Sequence, residues 1–320
     1  MANLGTPMAI RVAATLRIAD HISAGVTDVA RLARIVGADH NALDRLLRHL
    51  AVRGVLTGDT ATGYALTPLG EALRDDHPAG IRSWFDIGTG GRGELSFVEL
   101  LHSVRTGEAA FPVRYGRPFW EDLAADPERA EVFHRLLGHD VARRASEVLA
   151  AFDWSRARHV VDVGGGDGSL LCALLTSHPH LRGTVVDQEE AVAEARRGLH
   201  QTGLGDRADT VAGSFFDPLP GGADVYLLSL VLHDWNDDAA VAILRRCAEA
   251  AGRTGSILVI ESVSGADDIR HTGMDLRMLC VYGARERDAK EFSALAERAG
   301  LRVDAVRLAR ESAIFELTTD

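Results

Sequence analysis

Apolar residues recur at helical spacing along the first part of the chain, to about residue 150. The segment TPMAIRVAATLRIADHI, residues 6–22, predicts one amphipathic helix. Thr27 is expected to cap a second helix, VARLARIVG, which stops at Gly37. Asp39 is expected to cap a third helix, ALDRLLRHLAVRG, which ends at Gly54. This part of the chain is therefore expected to be mostly helical.

Two short strands, VLTGD and YALTPLG, are predicted to follow as a hairpin. Two helices and a hairpin are the order of a winged helix, a module that often reads DNA. Such a module is normally basic, whereas residues 1–76 carry eight arginines and eight acidic residues. We therefore expect this part to contact protein rather than DNA. Residues 80–150 are expected to add helix and an aromatic-rich loop, FPVRYGRPFWEDLA.

From His159 onward, apolar runs of strand length alternate with amphipathic segments of helix length. The runs are HVVDV, GTVVDQ, DTVAGSFF, ADVYLLSLVLHDW, SILVIESV, LRVDAVRLAR and SAIFELTT. Strands that alternate with helices indicate an α/β fold with a doubly wound, mostly parallel sheet. The predicted domains are therefore residues 1–150, mostly helical, and residues 151–320, which contain the sheet.

Composition narrows the class of protein. The 320 residues are 46% hydrophobic and carry a formal net charge of −11, which argues against binding nucleic acid or an anionic membrane surface. The three cysteines fit neither a disulfide framework nor a zinc pattern, and the histidines lack metal-ligand spacing. No run is long and apolar enough to cross a bilayer, and charges interrupt the N-terminal apolar run before a signal peptide forms. We expect a cytoplasmic protein without a metal.

The turn VDVGGGDGS follows the first strand of the predicted sheet and indicates the kind of ligand. A dinucleotide fingerprint requires glycine three residues after Gly166, and the chain has Ser169 there. Gly164, Gly166 and Gly168 instead form G-x-G-x-G, which lets the backbone approach a ligand and leads into a helix N-terminus. Asp187 ends the next strand, where a carboxylate can bind two ribose hydroxyls. Together they predict an adenosine-containing ligand, although the glycines alone leave NAD open.

Six motifs occur in a fixed order: VVDVGGGDGSLL, TVVDQ, GSFFDPLP, LLSLVLHDWNDD, ILVIE and DLRML…GARERDAKEF. In this order and spacing, the chain resembles the S-adenosylmethionine-dependent O-methyltransferases of the caffeic acid type. It is most similar to the bacterial branch that tailors aromatic polyketides such as anthracyclines. The resemblance implies an N-terminal winged-helix-like domain for homodimerisation and as a substrate lid, followed by a class I methyltransferase domain.

The resemblance also implies roles for single residues at the cofactor. The implied binding residues are Gly164, Gly166, Asp187, Ser214, Phe215, Ser229 and Tyr115. The glycines face the methionine part, the aspartate holds the ribose, and Ser214 and Phe215 lie beside the adenine. Ser229 and Tyr115 lie near the methionine tail. Relatives often carry an acid where this chain has Ser214, and a hydroxyl accepts a hydrogen bond more weakly than a carboxylate.

His233 follows the fourth strand, in VLHDWNDD, and is expected at the carboxyl edge of the sheet, where open α/β sheets bind ligands. Methyl transfer to a hydroxyl requires removal of its proton, and a phenol with a pKa of about 10 is mostly neutral at physiological pH. An imidazole, with an ordinary pKa of about 6.5, suits this task. His233 is therefore predicted to be the general base; a structural histidine at a strand end is the alternative.

An imidazole base usually has its second nitrogen held by an acceptor. Glu261, which ends the fifth strand, and Glu286, which precedes the last helix, match acids that flank the histidine in relatives. Each is also compatible with a solvated surface charge. Asp288 departs from the usual ERT sequence and is expected to alter the helix cap. An apolar acceptor pocket is expected, and its candidates, which fit a core equally well, are Phe133, Leu137, Met278, Leu279 and Tyr282.

The favoured function is transfer of a methyl group from S-adenosylmethionine to a hydroxyl of an aromatic, polyketide-type natural product, by a homodimer. Three alternatives stay open. A relative can use the same cofactor for hydroxylation or decarboxylation, and His233 counts against this. A nicotinamide oxidoreductase is disfavoured by Ser169. A winged-helix regulator that senses the cofactor is disfavoured by the balanced charge of residues 1–76.

Overall fold

The computed structural model describes residues 3–262, 272–309 and 312–319, with the backbone alone at 139–144. It divides into two compact units, Met1–Leu95 and Ser96–Asp320. The elements of the first unit are α1 (Gly5–Thr15), α2 (Ile18–Ser23), α3 (Val29–Val36), α4 (His40–Val52), β1 (Leu56–Asp59), β2 (Gly63–Leu66), α5 (Pro68–Glu71) and α6 (Arg82–Phe85). The strands β1 and β2 pair antiparallel, so α3, α4 and the hairpin follow the predicted order.

The helix ends predicted for the first unit are partly confirmed. Asp39 caps α4 by accepting from the backbone N–H of Ala42, and Gly37 ends α3 in the left-handed conformation, both as predicted. The cap of α3 was wrong, because Asp28 rather than Thr27 accepts from the first turn. The single helix predicted over residues 6–22 is broken between α1 and α2, where Arg17 adopts a φ of 52°.

The second unit alternates strands and helices after a helical start. Its elements are α7 (Leu100–Thr106), α8 (Phe111–Tyr115), α9 (Phe119–Ala124), α10 (Pro127–Ala151), β3 (His159–Val163), α11 (Ser169–Ser177), β4 (Arg182–Asp187), α12 (Glu189–Gln201), β5 (Ala208–Ala212), β6 (Val225–Ser229), α13 (Asp237–Ala251), β7 (Ser256–Glu261), α14 (Thr272–Tyr282), α15 (Ala289–Arg298), β8 (Leu301–Leu308) and β9 (Ala313–Thr319). Short 3-10 helices are Gly90–Glu99, Trp154–Arg156 and Leu232–Asp234. Among the described helices, none has both the length and the apolar character needed to cross a membrane.

The seven strands of this unit form one sheet in the order β5-β4-β3-β6-β7-β9-β8. Strands β3 to β7 are parallel, and β9 runs antiparallel to both β7 and β8. In β3, Val160 packs in one apolar layer while Val161 and Val163 pack in the other, because alternate side chains of a strand face opposite sides. The doubly wound, mostly parallel sheet is confirmed, and the ends of β3, β4, β6 and β7 meet at one edge.

The boundary between the compact units differs from the predicted boundary at residue 150. Helix α10 packs against α11 and α12 and therefore belongs with the sheet. The assignment of residues 1–150 to dimerisation and a substrate lid stays a prediction. The loop predicted for the aromatic-rich segment is wrong, because the helices α8 and α9 lie within that segment. Pro118 is the N-cap residue of α9.

Candidate active site

The glycine turn links β3 to α11 at the carboxyl edge of the sheet. Gly164, Gly166 and Gly168 have φ values of 71°, 57° and 76°, the left-handed region that glycine adopts without strain. A Cβ atom at Gly164 would lie 2.8 Å from the side chain of Val231, so this position excludes larger residues. A Cβ atom at Gly166 would meet no atom within 4 Å. The turn is therefore open on the side of Gly166, where a ligand can approach the backbone.

Asp187 ends β4 and faces this turn. Its Oδ2 accepts from the backbone N–H of Gly166 at 2.8 Å, and its Oδ1 accepts from the N–H of Gln188 at 2.7 Å. Burial raises the pKa of Asp187 in spite of these hydrogen bonds. Each carboxylate oxygen keeps a further lone pair, so the fixed carboxylate can accept from two ribose hydroxyls.

Asp162, in β3, lies completely buried under the same turn. Burial, together with the charges of Asp187 and Asp167, raises the pKa of Asp162 to about 7. Its Oδ2 has no hydrogen-bond partner. A buried acceptor beside further carboxylates favours a ligand that brings positive charge and N–H donors. The amino group and sulfonium of S-adenosylmethionine have this chemistry, so the residues present fit that cofactor.

The remaining predicted cofactor residues are Phe215, Ser229, Ser214 and Tyr115, and they have different surroundings. The ring of Phe215 reaches the turn, with Cε1 3.5 Å from the position of a Cβ at Gly164. Ser229 ends β6, the strand next to β3. The Oγ of Ser214 accepts from the N–H of Phe216 at 3.2 Å within an exposed turn. Tyr115 lies in α8 against the ring of Phe111, at 4.5 Å between centroids. Their roles at the cofactor stay predictions.

His233 lies on the 3-10 helix Leu232–Asp234 that follows β6. Leu230, between the strand and this helix, has a φ of 55°, which is uncommon for a residue with a branched side chain. The left-handed residue turns the chain sharply after β6. The side chain of His233 is 14% exposed at this edge of the sheet. The imidazole is thus nearly buried but reachable.

Three carboxylates surround the imidazole. His233 Nδ1 donates to Glu286 Oε1 at 3.2 Å. Its distance to Glu261 Oε2 is 3.9 Å, beyond a hydrogen bond, while Glu261 Oε1 accepts from the backbone N–H groups of Val231 and Leu232. The two predicted orienting acids therefore differ: Glu286 contacts the ring, and Glu261 holds the backbone beneath it. Both side chains are almost fully buried, so neither is a solvated surface charge.

The third carboxylate, Asp234, was missed as a neighbour of the imidazole. It does not cap the following helix, because Asn236 caps α13 by accepting from the backbone N–H of Ala239. Asp234 Oδ1 instead lies 3.6 Å from His233 Nε2. Adjacency in the sequence could have indicated this, but the helix-cap pattern of DWNDD offered a competing interpretation.

The charges at this site determine the protonation of the ligand-free imidazole. Burial disfavours the charged form, but Asp234, Glu261 and Glu286 outweigh burial and raise the pKa of His233 to about 10. For the two carboxyl groups burial acts in the opposite direction on the pKa, and it raises that of Glu261 to about 7 and that of Asp234 to about 6. The site therefore favours positive charge over negative charge.

Aromatic side chains from α9, α10 and α14 pack together in the second unit. The centroid of Tyr282 lies 5.0 Å from that of Phe119 and 5.6 Å from that of Trp120, and Phe133 lies 5.2 Å from Phe119. We call this aromatic cluster Phe119, Trp120, Phe133 and Tyr282. Helix α14 also contacts the 3-10 helix of His233.

The structure brings the predicted pocket residues Phe133 and Tyr282 together in the aromatic cluster. Leu137 follows one turn later on α10 and is half-buried. On α14, Met278 is fully buried and Leu279 is half-buried, so Met278 resembles core more than pocket wall. Phe119 and Trp120 were not predicted, although the density of aromatic residues in FPVRYGRPFWEDLA was a usable signal.

Comparison with known proteins identifies two matching family models. Residues 97–302 match an O-methyltransferase domain, and residues 2–76 match an O-methyltransferase dimerisation domain. Together they cover most of the chain, and the O-methyltransferase domain begins one residue after the start of the second compact unit, Ser96.

Individual relatives carry related names. The chain is 54% identical over 99% of its length, and 96% of the relative's, to a 2,7-dihydroxy-5-methyl-1-naphthoate 7-O-methyltransferase of Streptomyces carzinostaticus. It is 46% identical, over 96% of its length and 84% of the relative's, to an aclacinomycin 10-hydroxylase of Streptomyces purpurascens. A crystal structure of an O-methyltransferase from neocarzinostatin biosynthesis, in complex with S-adenosylmethionine and 2-hydroxy-5-methyl naphthoic acid, superposes with a TM-score of 0.95 at 54% identity. That match covers 100% of this chain and 97% of the other.

Proposed function

This chain belongs to the O-methyltransferase family, and we propose that it methylates a phenolic hydroxyl on a fused-ring aromatic acid, with His233 as general base. The observation that carries the proposal is His233 itself, fixed by Glu286 at the sheet edge that also holds the glycine turn. The enzyme is S-adenosylmethionine-dependent, and the dimerisation domain makes it a homodimer.

S-adenosylmethionine supplies a methyl group already activated on a sulfonium. Asp187, which accepts from the N–H of Gly166, would hold the ribose, and the open backbone at Gly166 would admit the methionine part. The buried carboxylate of Asp162 favours the positive charge of the cofactor. The chain thus has to orient the acceptor and to remove its proton. Orientation alone can lower the activation free energy by roughly 7–11 kcal/mol in well-aligned intramolecular reactions.

His233 accepts a proton only in its neutral form, whereas its ligand-free pKa is raised to about 10. A cation bound at the same edge disfavours a second positive charge and therefore lowers that pKa. Glu286 holds Nδ1, which leaves Nε2 for the acceptor hydroxyl. After transfer of the proton, the imidazolium is stabilised by Glu286, Glu261 and Asp234.

The nature of the acceptor is supported by the relatives and by the aromatic cluster. The relative that is 54% identical is named for a dihydroxylated naphthoate, and a flat bicyclic ring can pack favourably against aromatic side chains such as Trp120 and Tyr282. The 46% identical hydroxylase is less similar, which favours methylation. We further propose that the enzyme works in the cytoplasm, where its three free thiols remain reduced.

The test is His233→Ala with methyl-labelled S-adenosylmethionine and a panel of hydroxylated naphthoic acids. We expect unchanged cofactor binding by calorimetry and a loss of label transfer of at least about 100-fold, since a general base contributes roughly 100-fold to 10,000-fold. His200→Ala, an exposed histidine of α12, is the matched control and should transfer at the normal rate. Full activity of His233→Ala would remove its role as base. Oxidised acceptor without label would instead indicate hydroxylase chemistry.

A further inference from the structure

Arg287 is a fully buried cation in the short loop between α14 and α15. Its Nη1 donates to the carbonyl oxygen of Leu232 at 2.8 Å, and its Nη2 donates to the carbonyl oxygen of Trp235 at 2.6 Å. In the chain these two carbonyls flank His233 and Asp234. One rigid, planar guanidinium therefore spans the turn that carries the imidazole.

Asp237, in the first turn of α13, supplies the countercharge. Its Oδ1 accepts from Arg287 Nε at 3.0 Å and from Nη2 at 2.9 Å. Partial burial raises the pKa of Asp237, but the hydrogen bonds and charges of Arg287 and Arg285 outweigh it and lower the pKa. The buried cation is thus paired and hydrogen-bonded, which offsets the cost of removing it from water.

The same turn is held by its N–H groups on the other side. Glu261 Oε1 accepts from the N–H of Val231 at 3.2 Å and of Leu232 at 2.7 Å. Leu232 is therefore fixed through its N–H by the buried carboxyl group of Glu261 and through its carbonyl by the buried cation Arg287. These two side chains hold the backbone on which His233 sits.

Glu286 and Arg287 are adjacent in the chain but contact different parts of the turn that carries His233. The carboxylate of Glu286 contacts the imidazole of His233, and the guanidinium of Arg287 contacts the backbone beside it. The loop before α15 thus fixes both the ring and its support. A lysine cannot replace the forked guanidinium of Arg287, since an ammonium on a flexible stem does not reach two carbonyls and a carboxylate in fixed geometry.

We propose that Arg287 is a positioning residue for methyl transfer, which holds Leu232–Trp235 so that His233 keeps a fixed place relative to Glu286. This proposal rests on the proposed function, with His233 as base. Displacement of a reacting group by about 1 Å can cost on the order of 100-fold in rate. The effect of Arg287 should therefore appear in the chemical step rather than in cofactor binding.

The first variant is Arg287→Lys, which keeps the charge and removes the fork. We expect kcat to fall at least about 10-fold, while the Kd for S-adenosylmethionine changes less than about 3-fold. Because the loosened imidazole loses part of its contact with Glu286, the acidic limb of the kcat–pH profile should move to lower pH. Arg285→Lys is the matched control: it lies in the same loop, pairs with Asp237, is exposed, and should change neither.

Two further variants keep the proposal falsifiable if Arg287→Lys does not fold. Asp237→Asn, at a partly exposed side chain, should lower kcat in the same direction by roughly 3-fold to 10-fold. In a His233→Ala background, Asp237→Asn should cause no additional loss, since residues that act together are not additive. A variant with normal kcat and an unmoved acidic limb of the pH profile would overturn the proposal, even if its Tm were lower. An equal loss of kcat with and without His233 would also overturn it. Full activity of His233→Ala alone would contradict the proposed function instead.

Discussion

At the scale of single residues, the protonation of His233 is the feature with the widest consequences. Asp234, Glu261 and Glu286 all lie within 4 Å of its ring nitrogens. They raise the pKa of His233 to about 10, above the ordinary 6.5. Because the pKa is higher in the folded than in the unfolded state, protonation of His233 stabilises the fold. This contribution is complete below pH 6.5 and is lost as the pH rises towards 10.

This leads to a prediction for the ligand-free enzyme. The imidazole of His233 should remain protonated at pH 7–8, and its pKa should lie well above 6.5. Glu286→Gln should lower that pKa, because the charge that contacts Nδ1 is removed. Side-chain NMR of protein labelled with 15N-histidine measures both, with the resonance assigned by its loss in His233→Ala. An ordinary pKa near 6.5 in the unmodified enzyme would show that the three carboxylates do not act as described.

At the scale of elements, helix α15 shows how the chain accommodates its departure from the ERT sequence. Asp288 is the N-cap, and its Oδ1 accepts from the N–H of Glu291 at 2.8 Å. In return, Glu291 Oε2 accepts from the N–H of Asp288 at 2.9 Å. This reciprocal capping box satisfies two otherwise unpaired donors. Asp288 therefore supports the loop that carries Glu286 and Arg287, and the cap is a conventional one.

Loss of this cap should be measurable in stability. Asp288→Ala should reduce the free energy of unfolding by about 1 kcal/mol, since it leaves an N-terminal donor without its partner. Asp288→Thr, which restores an accepting oxygen, is the control and should recover most of the loss. Urea denaturation of the three proteins gives the comparison. Equal midpoints for Asp288→Ala and the unmodified chain would mean that the box contributes nothing.

At the scale of the whole molecule, the charge balance of the first unit agrees with its family match. Equal numbers of basic and acidic residues over 1–76 do not suit a DNA backbone, and residues 2–76 match a dimerisation domain. The winged-helix order of elements is therefore used for contact with a second copy of the chain.

Light scattering should accordingly give a mass twice the 34.4 kDa of one chain. Dilution should lower the apparent Tm, because the stabilisation of the folded state by subunit association increases with the logarithm of protein concentration. A chain without residues 1–76 provides the comparison and should not dimerise in the same way. A monomeric mass at micromolar concentration, with a Tm independent of dilution, would contradict this assembly.

Sequence by itself determined the features that depend on local pattern. Apolar runs that alternate with helical segments predicted the doubly wound sheet, because periodicity is a property of neighbouring residues. The segment from Gly164 to Asp187 predicted the edge proposed to bind the cofactor, because a left-handed turn is signalled by local glycines. The break at Arg17 and the cap at Asp28 were missed, since neighbouring residues offered equally good local signals.

Only the tertiary structure decided which distant side chains meet. Glu261 and Glu286 carry the same chemistry in sequence, yet one contacts the backbone of the turn and the other the imidazole. In the sequence nothing distinguishes Arg287 from an ordinary surface arginine. Its complete burial depends on packing against a turn more than 50 positions earlier in the chain. Such contacts arise from the packing of α13 and α15 against the sheet and of α14 against the 3-10 helix Leu232–Asp234, which no local pattern specifies.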